Sequence, residues 1–311
     1  MNSLNRLIVS VTQLLPKSLV RPFAMRYLAG ERLEDAVRLV KSLNKRHWTA
    51  SMDILGENVF TKEESVRAVK KCEAVLEAIQ SHGLDANLSI KLTQFGLKID
   101  PEFCYSNVRI LLEIARRYPI FVRIDMEDSS ATSDTLRLYE RLRSDGFENT
   151  GVVIQANLRR SEEDVSRLIG LKANVRLCKG AYLEPETIAL RDREEIRHHY
   201  LNLLRTLLGA GCYVGIATHD EFLMQEAYRL VEEKRIQKSN YEFQMLYGVK
   251  VRLWEKIVTD GHRLRIYVPF GDSWHAYSMR RFQENPQIVR YILKGIFTKS
   301  WNERDPLAQK R

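Results

Sequence analysis

Short runs rich in β-branched residues recur along the chain, and each ends in a polar residue or glycine before a helix-patterned stretch. Such a run is typical of a buried strand, and the stretch after it is typical of an amphipathic helix. The runs are TASMDILGE (49–57), ANLSIKL (86–92), FVRIDME (121–127), GVVIQANL (151–158), NVRLCKG (174–180), YVGIATHD (213–220), YEFQMLYG (241–248) and RLRIYVPFG (263–271). Eight strands alternating with helices over roughly 250 residues predict an α/β fold, a (β/α)8 barrel of the TIM type.

A doubly wound open sheet is the alternative architecture. It usually has fewer strands, and its nucleotide-binding form carries G-x-G-x-x-G after the first strand, a motif that this sequence lacks. The barrel is therefore favoured. Residues 1–48 are predicted to form an N-terminal helical arm outside it, and residues 49–311 are predicted to form the catalytic barrel domain. Thr61 and Ser161 stand where helices should begin and are predicted N-caps.

Composition narrows the function classes. The chain has 311 residues, of which 44% are hydrophobic, and a net charge of +9. This charge fits solubility, an anionic substrate or an anionic membrane surface. Nucleic acid is disfavoured as a partner because no recognised binding motif and no basic run with interleaved aromatics occurs. The four cysteines form no C-x-x-C pair, and no run reaches the roughly 20 apolar residues of a membrane span, so a cytoplasmic location is expected.

Polar and charged residues cluster at the ends of the predicted strands, where barrel enzymes place their chemistry. They are Asp53, Glu57, Lys91, Asp125, Glu127, Gln155, Arg176, Lys179, Thr218, His219, Gln244 and Tyr267. Charges inside a barrel must be paired or solvated. A salt-bridge network that only orients the strands is one interpretation, but the convergence of four or more charges at one rim favours a functional site.

Two adjacent arginines, Arg280 and Arg281, follow the eighth predicted strand. They share one side of a predicted helix with Tyr277, and Glu284 lies within reach of both. An exposed ion pair is the plain interpretation, whereas planar bidentate donors at the barrel mouth suit a carboxylate clamp. The position over the mouth favours the clamp and predicts a C-terminal helix that covers the substrate.

The segments VRLCKGAY and ATHD carry the remaining candidate chemistry. Lys179 beside Gly180 suits a phosphate, although a single KGA is a weak signal. His219 could be a wall residue, a base or a metal ligand, but no H-x-H or H-E-x-x-H accompanies it, so no metal site is expected. His198 and His199 lie in a helical stretch and are predicted to be solvated.

Eight motifs in order resemble the proline dehydrogenase family over roughly residues 27–300. They are LGEN, SIKLTQFGL, IDME, QANLRRS, VRLCKGAYLEP, ATHD, EFQMLYG and YVPFGDSWHAYSMRR. The similarity is to the single-function bacterial form and to the matching domain of bifunctional proline-catabolic enzymes. Asn157 departs from the family's usual tyrosine, and Cys178 departs from its usual valine.

The resemblance implies a distorted barrel that binds FAD without a Rossmann motif. The implied reaction is oxidation of L-proline to Δ1-pyrroline-5-carboxylate by hydride transfer to the flavin, the first step of proline degradation to glutamate. Electrons would pass to a membrane quinone, through peripheral contact with the inner face of the cell membrane. The implied protein partner is a separate pyrroline-5-carboxylate dehydrogenase, in transient contact. A related cyclic imino acid such as 4-hydroxyproline is the alternative substrate.

The same resemblance implies roles for individual residues. Those placed at the substrate are Asp125, Lys91, Leu246, Tyr267, Tyr277, Arg280 and Arg281. Those placed at FAD are Arg176, Met126, Gln155, Lys179, Gly180, Ala181, Thr218 and His219. Arg176 is expected beside flavin N5, and Glu57 is expected to gate the pocket through Arg280. Two other classes stay open from the residues alone: a lyase acting on a phosphorylated substrate, and a basic binding module for membrane or nucleic acid.

Overall fold

The chain folds around a closed barrel of eight parallel strands, in a computed structural model that describes residues 17–56, 58–275 and 277–279. Neighbouring strands pair in sequence order, and the last strand pairs with the first. The strands are β1 (Thr49–Ile54), β2 (Ala86–Ile90), β3 (Val122–Ile124), β4 (Thr150–Gln155), β5 (Val175–Cys178), β6 (Val214–Ala217), β7 (Tyr241–Leu246) and β8 (Leu264–Phe270). The predicted (β/α)8 barrel is thus confirmed, and the open sheet is excluded because it would leave two edge strands unpaired.

Helices connect the strands and pack on the outside of the barrel. In the described part of the chain they are α1 (Lys17–Ala24), α2 (Leu33–Asn44), α3 (Lys62–Ser81), α4 (Pro101–Arg117), α5 (Ser129–Ser144), α6 (Ser161–Gly170), α7 (Arg193–Gly209), α8 (Glu221–Glu233) and α9 (Val251–Thr259). None of these is both long and apolar enough to cross a membrane. Two of the described helices precede β1, while the division into an arm of residues 1–48 and a barrel domain stays a prediction.

The hydrophobic core lies between the barrel and its helices. In β7 the alternate residues Tyr241, Phe243 and Met245 are buried on the helix side, as the two-residue period of a strand requires. In the same layer, Trp254 of α9 packs edge-on against Trp48 with ring centroids 5.7 Å apart. The apolar surface that is buried in this outer layer stabilises the closed barrel.

The interior of the barrel is unusually polar for this architecture, whose inner layers are commonly Val, Ile and Leu. Long polar side chains enter it, and glycines on neighbouring strands make the room they need. A Cβ at Gly215 would overlap the side-chain amide of Gln244, and a Cβ at Gly151 would overlap the Arg123 guanidinium. The inside of the barrel therefore holds a network of buried charged and polar side chains instead of an apolar core.

One predicted cap is confirmed and one is wrong. The Thr61 hydroxyl accepts the Glu64 N–H at 3.2 Å at the start of α3. Ser161 is instead the first residue of α6, after Arg160. Its buried hydroxyl donates to the Gln155 carbonyl at the end of β4, at 2.6 Å, instead of capping the helix.

Candidate active site

A cavity of about 300 Å³ lies at the carboxyl ends of the barrel strands. Glu127 of the predicted rim lies outside its lining and accepts the Thr93 N–H and hydroxyl, but every described residue that the family resemblance places at substrate or cofactor lines the cavity. These residues are Lys91, Asp125, Met126, Gln155, Arg176, Lys179, Gly180, Ala181, Thr218, His219, Leu246, Tyr267 and Tyr277. Arg280, Arg281 and Glu57 lie outside the described residues, so the clamp and the gate are not placed. The structure shows that these residues line one cavity, while the role of each residue stays a prediction.

Asp125, which follows β3, is held by neighbours from three other strands. Its Oδ1 accepts Arg176 Nη1 at 2.6 Å, and its Oδ2 accepts the Tyr267 hydroxyl at 2.7 Å. The Lys91 ammonium lies 3.9 Å from the same Oδ2. Burial and the Asp125 charge raise the pKa of Tyr267 well above its ordinary value, so its phenol is a neutral donor at pH 7.

Lys91 also pairs with a second carboxylate, that of Asp53 at the end of β1. Lys91 Nζ lies 2.6 Å from Asp53 Oδ1, and both side chains are buried. Burial raises the pKa of Asp53, and the Lys91 charge opposes this without cancelling it. Asp53 Oδ2 has no hydrogen-bond partner among the described residues. Asp53 also lines the cavity, so its ion pair with Lys91 forms part of the cavity wall.

Arg176 of β5 is restrained from several directions. Besides Asp125, its Nε donates to Gln244 Oε1 at 2.6 Å, and its Nη2 lies 3.4 Å from the Ser51 hydroxyl and 3.3 Å from that of Ser89. Its guanidinium carbon lies 5.1 Å from the centre of the Tyr267 ring. A buried cation held this firmly is suited to stabilise negative charge that develops in the cavity.

The opposite wall is built from the ends of β4 and β5. The Gln155 amide donates to the Glu127 carbonyl at 2.9 Å, which fixes its orientation. Gly180 has φ +104°, and a Cβ there would overlap the side-chain amide of Asn157. Asn157, which departs from the family's usual tyrosine, is buried against this glycine, and its Oδ1 has no hydrogen-bond partner among the described residues.

A second cavity, of about 520 Å³, adjoins the first and shares Lys179 and His219 with it. Its lining adds five charged side chains and one aromatic ring: Arg193, Arg197, Asp220, Glu221, Lys250 and Phe222. His219 Nε2 accepts the Leu246 N–H at 2.8 Å, so this nitrogen carries no proton. The two cavities together suit an elongated ligand with an anionic middle section near Lys179.

Asp220 organises the cations of the second cavity. It accepts Lys179 Nζ at 3.2 Å, and its two oxygens accept Arg197 Nε at 3.0 Å and Nη2 at 2.7 Å. Burial would raise the pKa of Asp220, but the bonds from Arg197 and the charge of Lys179 hold it well below its ordinary range. Asp220 is therefore ionised at neutral pH and holds the Lys179 ammonium in position.

Sequence reasoning failed for one histidine and left several partners unassigned. His199 is largely buried, and its Nδ1 lies 2.6 Å from the Ala156 carbonyl, because its position on α7 faces the end of β4 and not solvent. The buried pair of Glu242 and Arg265 was not singled out. Polar residues at alternate positions of strands β7 and β8 were the signal that could have found it.

A closed (β/α)8 barrel with a charged cavity at the carboxyl ends of its strands is the architecture of a barrel enzyme. Comparison with protein families makes this specific. The family model described as proline dehydrogenase matches residues 36–291. The chain belongs to the proline dehydrogenase family, which favours an oxidoreductase over the lyase and the binding module.

Individual relatives agree with this assignment. Proline dehydrogenase 1 of Bacillus subtilis subsp. natto is 40% identical over 276 residues, which cover 89% of this chain and 91% of the relative. Proline dehydrogenase of Deinococcus radiodurans is 34% identical over 88% of this chain and 89% of its own length. The crystal structure of proline utilization A from Bdellovibrio bacteriovorus, inactivated by N-propargylglycine, superposes with a TM-score of 0.78 at 25% identity. It covers 90% of this chain, which spans 34% of that longer protein.

Proposed function

We propose that this protein oxidises L-proline to Δ1-pyrroline-5-carboxylate with FAD as its bound cofactor. The observation that carries the proposal is the meeting of Lys91, Asp125, Arg176 and Tyr267 in one buried cluster beside a cation-lined cleft. The family assignment supports the substrate, and the two adjoining cavities support a long cofactor with a diphosphate at its centre.

The chain's residues fit FAD by their chemistry. Met126 and Gln155 offer a soft apolar surface and a fixed amide for the flat ring system, and Lys179, aimed by Asp220, offers a cation for the diphosphate. When bound, FAD supplies the two-electron oxidation that protein side chains cannot perform. Arg176 provides the buried positive charge that favours electron density arriving in the cavity.

The substrate carboxylate needs a cationic partner, but the cations of the described cluster are already paired with carboxylates. Lys91 already pairs with Asp53, and Arg176 already pairs with Asp125, so these four charges balance. An added carboxylate would therefore be left uncompensated. Arg280 and Arg281 are proposed to supply the missing charge, with Glu57 exchanging against the substrate as a gate; this part of the proposal rests on the sequence and the family resemblance.

The environment of the reaction is part of the same proposal. A membrane quinone takes the electrons, and the net charge of +9 supports peripheral contact with the anionic inner face of the cell membrane. A separate pyrroline-5-carboxylate dehydrogenase takes the product in transient contact. A 4-hydroxyproline preference is the alternative, but the Tyr267 ring in the cavity wall would crowd a ring hydroxyl.

An anaerobic visible spectrum of the FAD-loaded protein, recorded before and after L-proline is added, tests the proposal. We expect the flavin band to bleach with L-proline, and D-proline serves as the matched control that should leave it unchanged. Bleaching only by 4-hydroxyproline would replace the substrate but keep the reaction. A protein that takes up no FAD, or a band that no imino acid bleaches, would contradict the proposal.

A further inference from the structure

The Gln244 side chain joins a buried anion to the buried cation of the cavity. Its Nε2 donates to Glu242 Oε1 at 2.7 Å, and its Oε1 accepts Arg176 Nε at 2.6 Å. A carboxylate can only accept hydrogen bonds, and a guanidinium can only donate them. The Gln244 amide therefore has a single orientation that satisfies both neighbours.

Glu242 is fixed in its charged form from beneath. It is 1% exposed, and its Oε1 also accepts Arg265 Nε at 2.7 Å. Arg265 is anchored in turn by a 2.7 Å bond to the Ala50 carbonyl of β1. Burial would raise the pKa of Glu242, but the Arg265 charge and the bonds from Arg265 and Gln244 overcome it and lower the pKa.

Strand β6, which lies between the strands of Arg176 and Gln244, leaves room for this connection. Gly215 of β6 pairs in register with Arg176 on one side and with Glu242 on the other. A Cβ at this position would overlap the Gln244 amide. Glu242 itself lines neither cavity, so it can reach a bound molecule only through Gln244 and Arg176.

We propose that Glu242 is a positioning residue: through Gln244 it holds the Arg176 guanidinium in the cavity, and it thereby sets how readily the bound cofactor accepts electrons. The inference rests on the proposed function and deepens it. Without the pull of Gln244 on Nε, Arg176 retains Asp125 as its charged partner and turns toward it. The positive potential at the cofactor then falls.

The decisive variant is the double replacement E242L/R265L. It removes one buried negative and one buried positive charge together, so the net charge is unchanged, and apolar replacement of a whole buried ion pair is often tolerated. We expect FAD affinity to stay within about threefold and KM to change less than about twofold. The equilibrium constant for flavin reduction should fall about tenfold, which is ~30 mV for a two-electron couple, and kcat should fall with it.

Three further variants separate positioning from stability. G215A displaces the Gln244 amide without touching a charge and should lower the reduction potential in the same direction. E242D keeps a carboxylate at this position, so its flavin reduction potential should stay close to that of the wild-type protein. N107L removes a buried neutral hydrogen bond to the Phe95 carbonyl, outside both cavities, and should lower stability alone.

A readout in the cofactor-free protein keeps the two proposals distinguishable. The Arg176 Nε–H should give an exchange-protected nitrogen NMR signal, assigned by its loss in R176K, and E242L/R265L or G215A should abolish the protection. A protected signal and an unchanged potential in folded G215A and E242L/R265L would overturn the inference. If the wild-type protein takes up no FAD, the proposed function fails, and the NMR signal still decides whether Glu242 positions Arg176.

Discussion

The Tyr267 hydroxyl donates to Oδ2 of Asp125 at 2.7 Å, on the side of the carboxylate that Arg176 does not occupy. The two residues come from β8 and from the end of β3, on separate parts of the barrel wall. Their bond fixes the rotation of the carboxylate, so that the other oxygen faces Arg176. One phenol therefore contributes to the geometry of the whole buried cluster.

Replacing Tyr267 with phenylalanine should weaken catalysis while keeping the ring that lines the cavity. A hydrogen bond to a charged group contributes about 1.5–3 kcal/mol. If that energy is used in the transition state, kcat/KM for L-proline should fall by roughly 10- to 150-fold. Steady-state kinetics with an artificial electron acceptor measure the change.

Tyr200→Phe is the matched control for this variant. Tyr200 is fully buried, and its hydroxyl donates at 3.1 Å to the neutral Leu177 carbonyl instead of to a carboxylate. It should cost about 0.5–1.5 kcal/mol of unfolding free energy and leave kcat/KM unchanged. Equal kinetic losses in the two variants would mean that Tyr267 acts through general stability alone.

The pH dependence of stability should report on Asp220. Its pKa is lowered in the folded protein, so it stabilises the fold above the ordinary carboxylate range near about pH 4. That contribution is lost as the pH falls toward the lowered folded-state value. Asp220→Asn should therefore destabilise the protein by about 1–3 kcal/mol at pH 7, and the difference from wild type should shrink below about pH 4.

Urea unfolding at pH 7, 4 and 3 measures this difference, with Asp192→Asn as the control. Both residues cap helices: Asp220 accepts the Phe222 N–H at the start of α8, and Asp192, which is exposed, accepts the Glu194 and Glu195 N–H groups at the start of α7. Asparagine caps helices equally well, so this variant should change stability little. A gap between Asp220→Asn and wild type that widens on acidification would contradict the assigned role of Lys179 and Arg197.

The loop between β5 and α7 is fastened to the rest of the barrel by Glu184. Its Oε1 accepts the Ser129 N–H at 2.8 Å, and its Oε2 accepts the Ser129 hydroxyl at 2.5 Å, at the positive end of α5. The same loop begins with Lys179–Ala181 in the cavity wall. Glu184→Ala should therefore loosen the loop and raise the Kd for FAD about tenfold, or ~1.4 kcal/mol.

Fluorescence titration of the cofactor-free protein measures this Kd, and hydrogen exchange over residues 179–192 measures the loosening. Ser129→Ala removes one of the two bonds and should give a smaller effect of the same sign. Glu186→Ala changes an exposed carboxylate of the same loop and should have none. Faster exchange with an unchanged Kd would separate the loop from cofactor binding.

The strands and the cavity lining could be predicted because both follow from local pattern. The two-residue period of VRLC places Arg176 and Cys178 on one face, and the parallel barrel brings all strand ends to one rim. The pairing of the charges could not be predicted in this way. Lys91 selects Asp53 by a contact between different strands, which depends on barrel register and not on sequence spacing.

A single sequence also does not show which glycines are required because a larger side chain would not fit. Gly180 and Gly170 look alike as letters, yet they differ in the structure. Gly180 has φ +104° and lies against Asn157, whereas Gly170 ends α6 with no atom within 4 Å of an added Cβ. Only the fold distinguishes a required glycine from a tolerated one.

Gly180→Ala should therefore destabilise the protein and impair FAD binding, for two separable reasons. A non-glycine residue at this φ costs about 1–2 kcal/mol, and the added methyl also overlaps the Asn157 amide. The double variant Gly180→Ala/Asn157→Ala relieves the overlap but keeps the backbone strain. In the Asn157→Ala background, adding Gly180→Ala should therefore cost less unfolding free energy than it costs in the wild-type protein, but the cost should not vanish. Gly170→Ala should instead gain about 0.5–1 kcal/mol. Full recovery in the double variant would assign the whole cost to packing, and no recovery would assign it to the backbone.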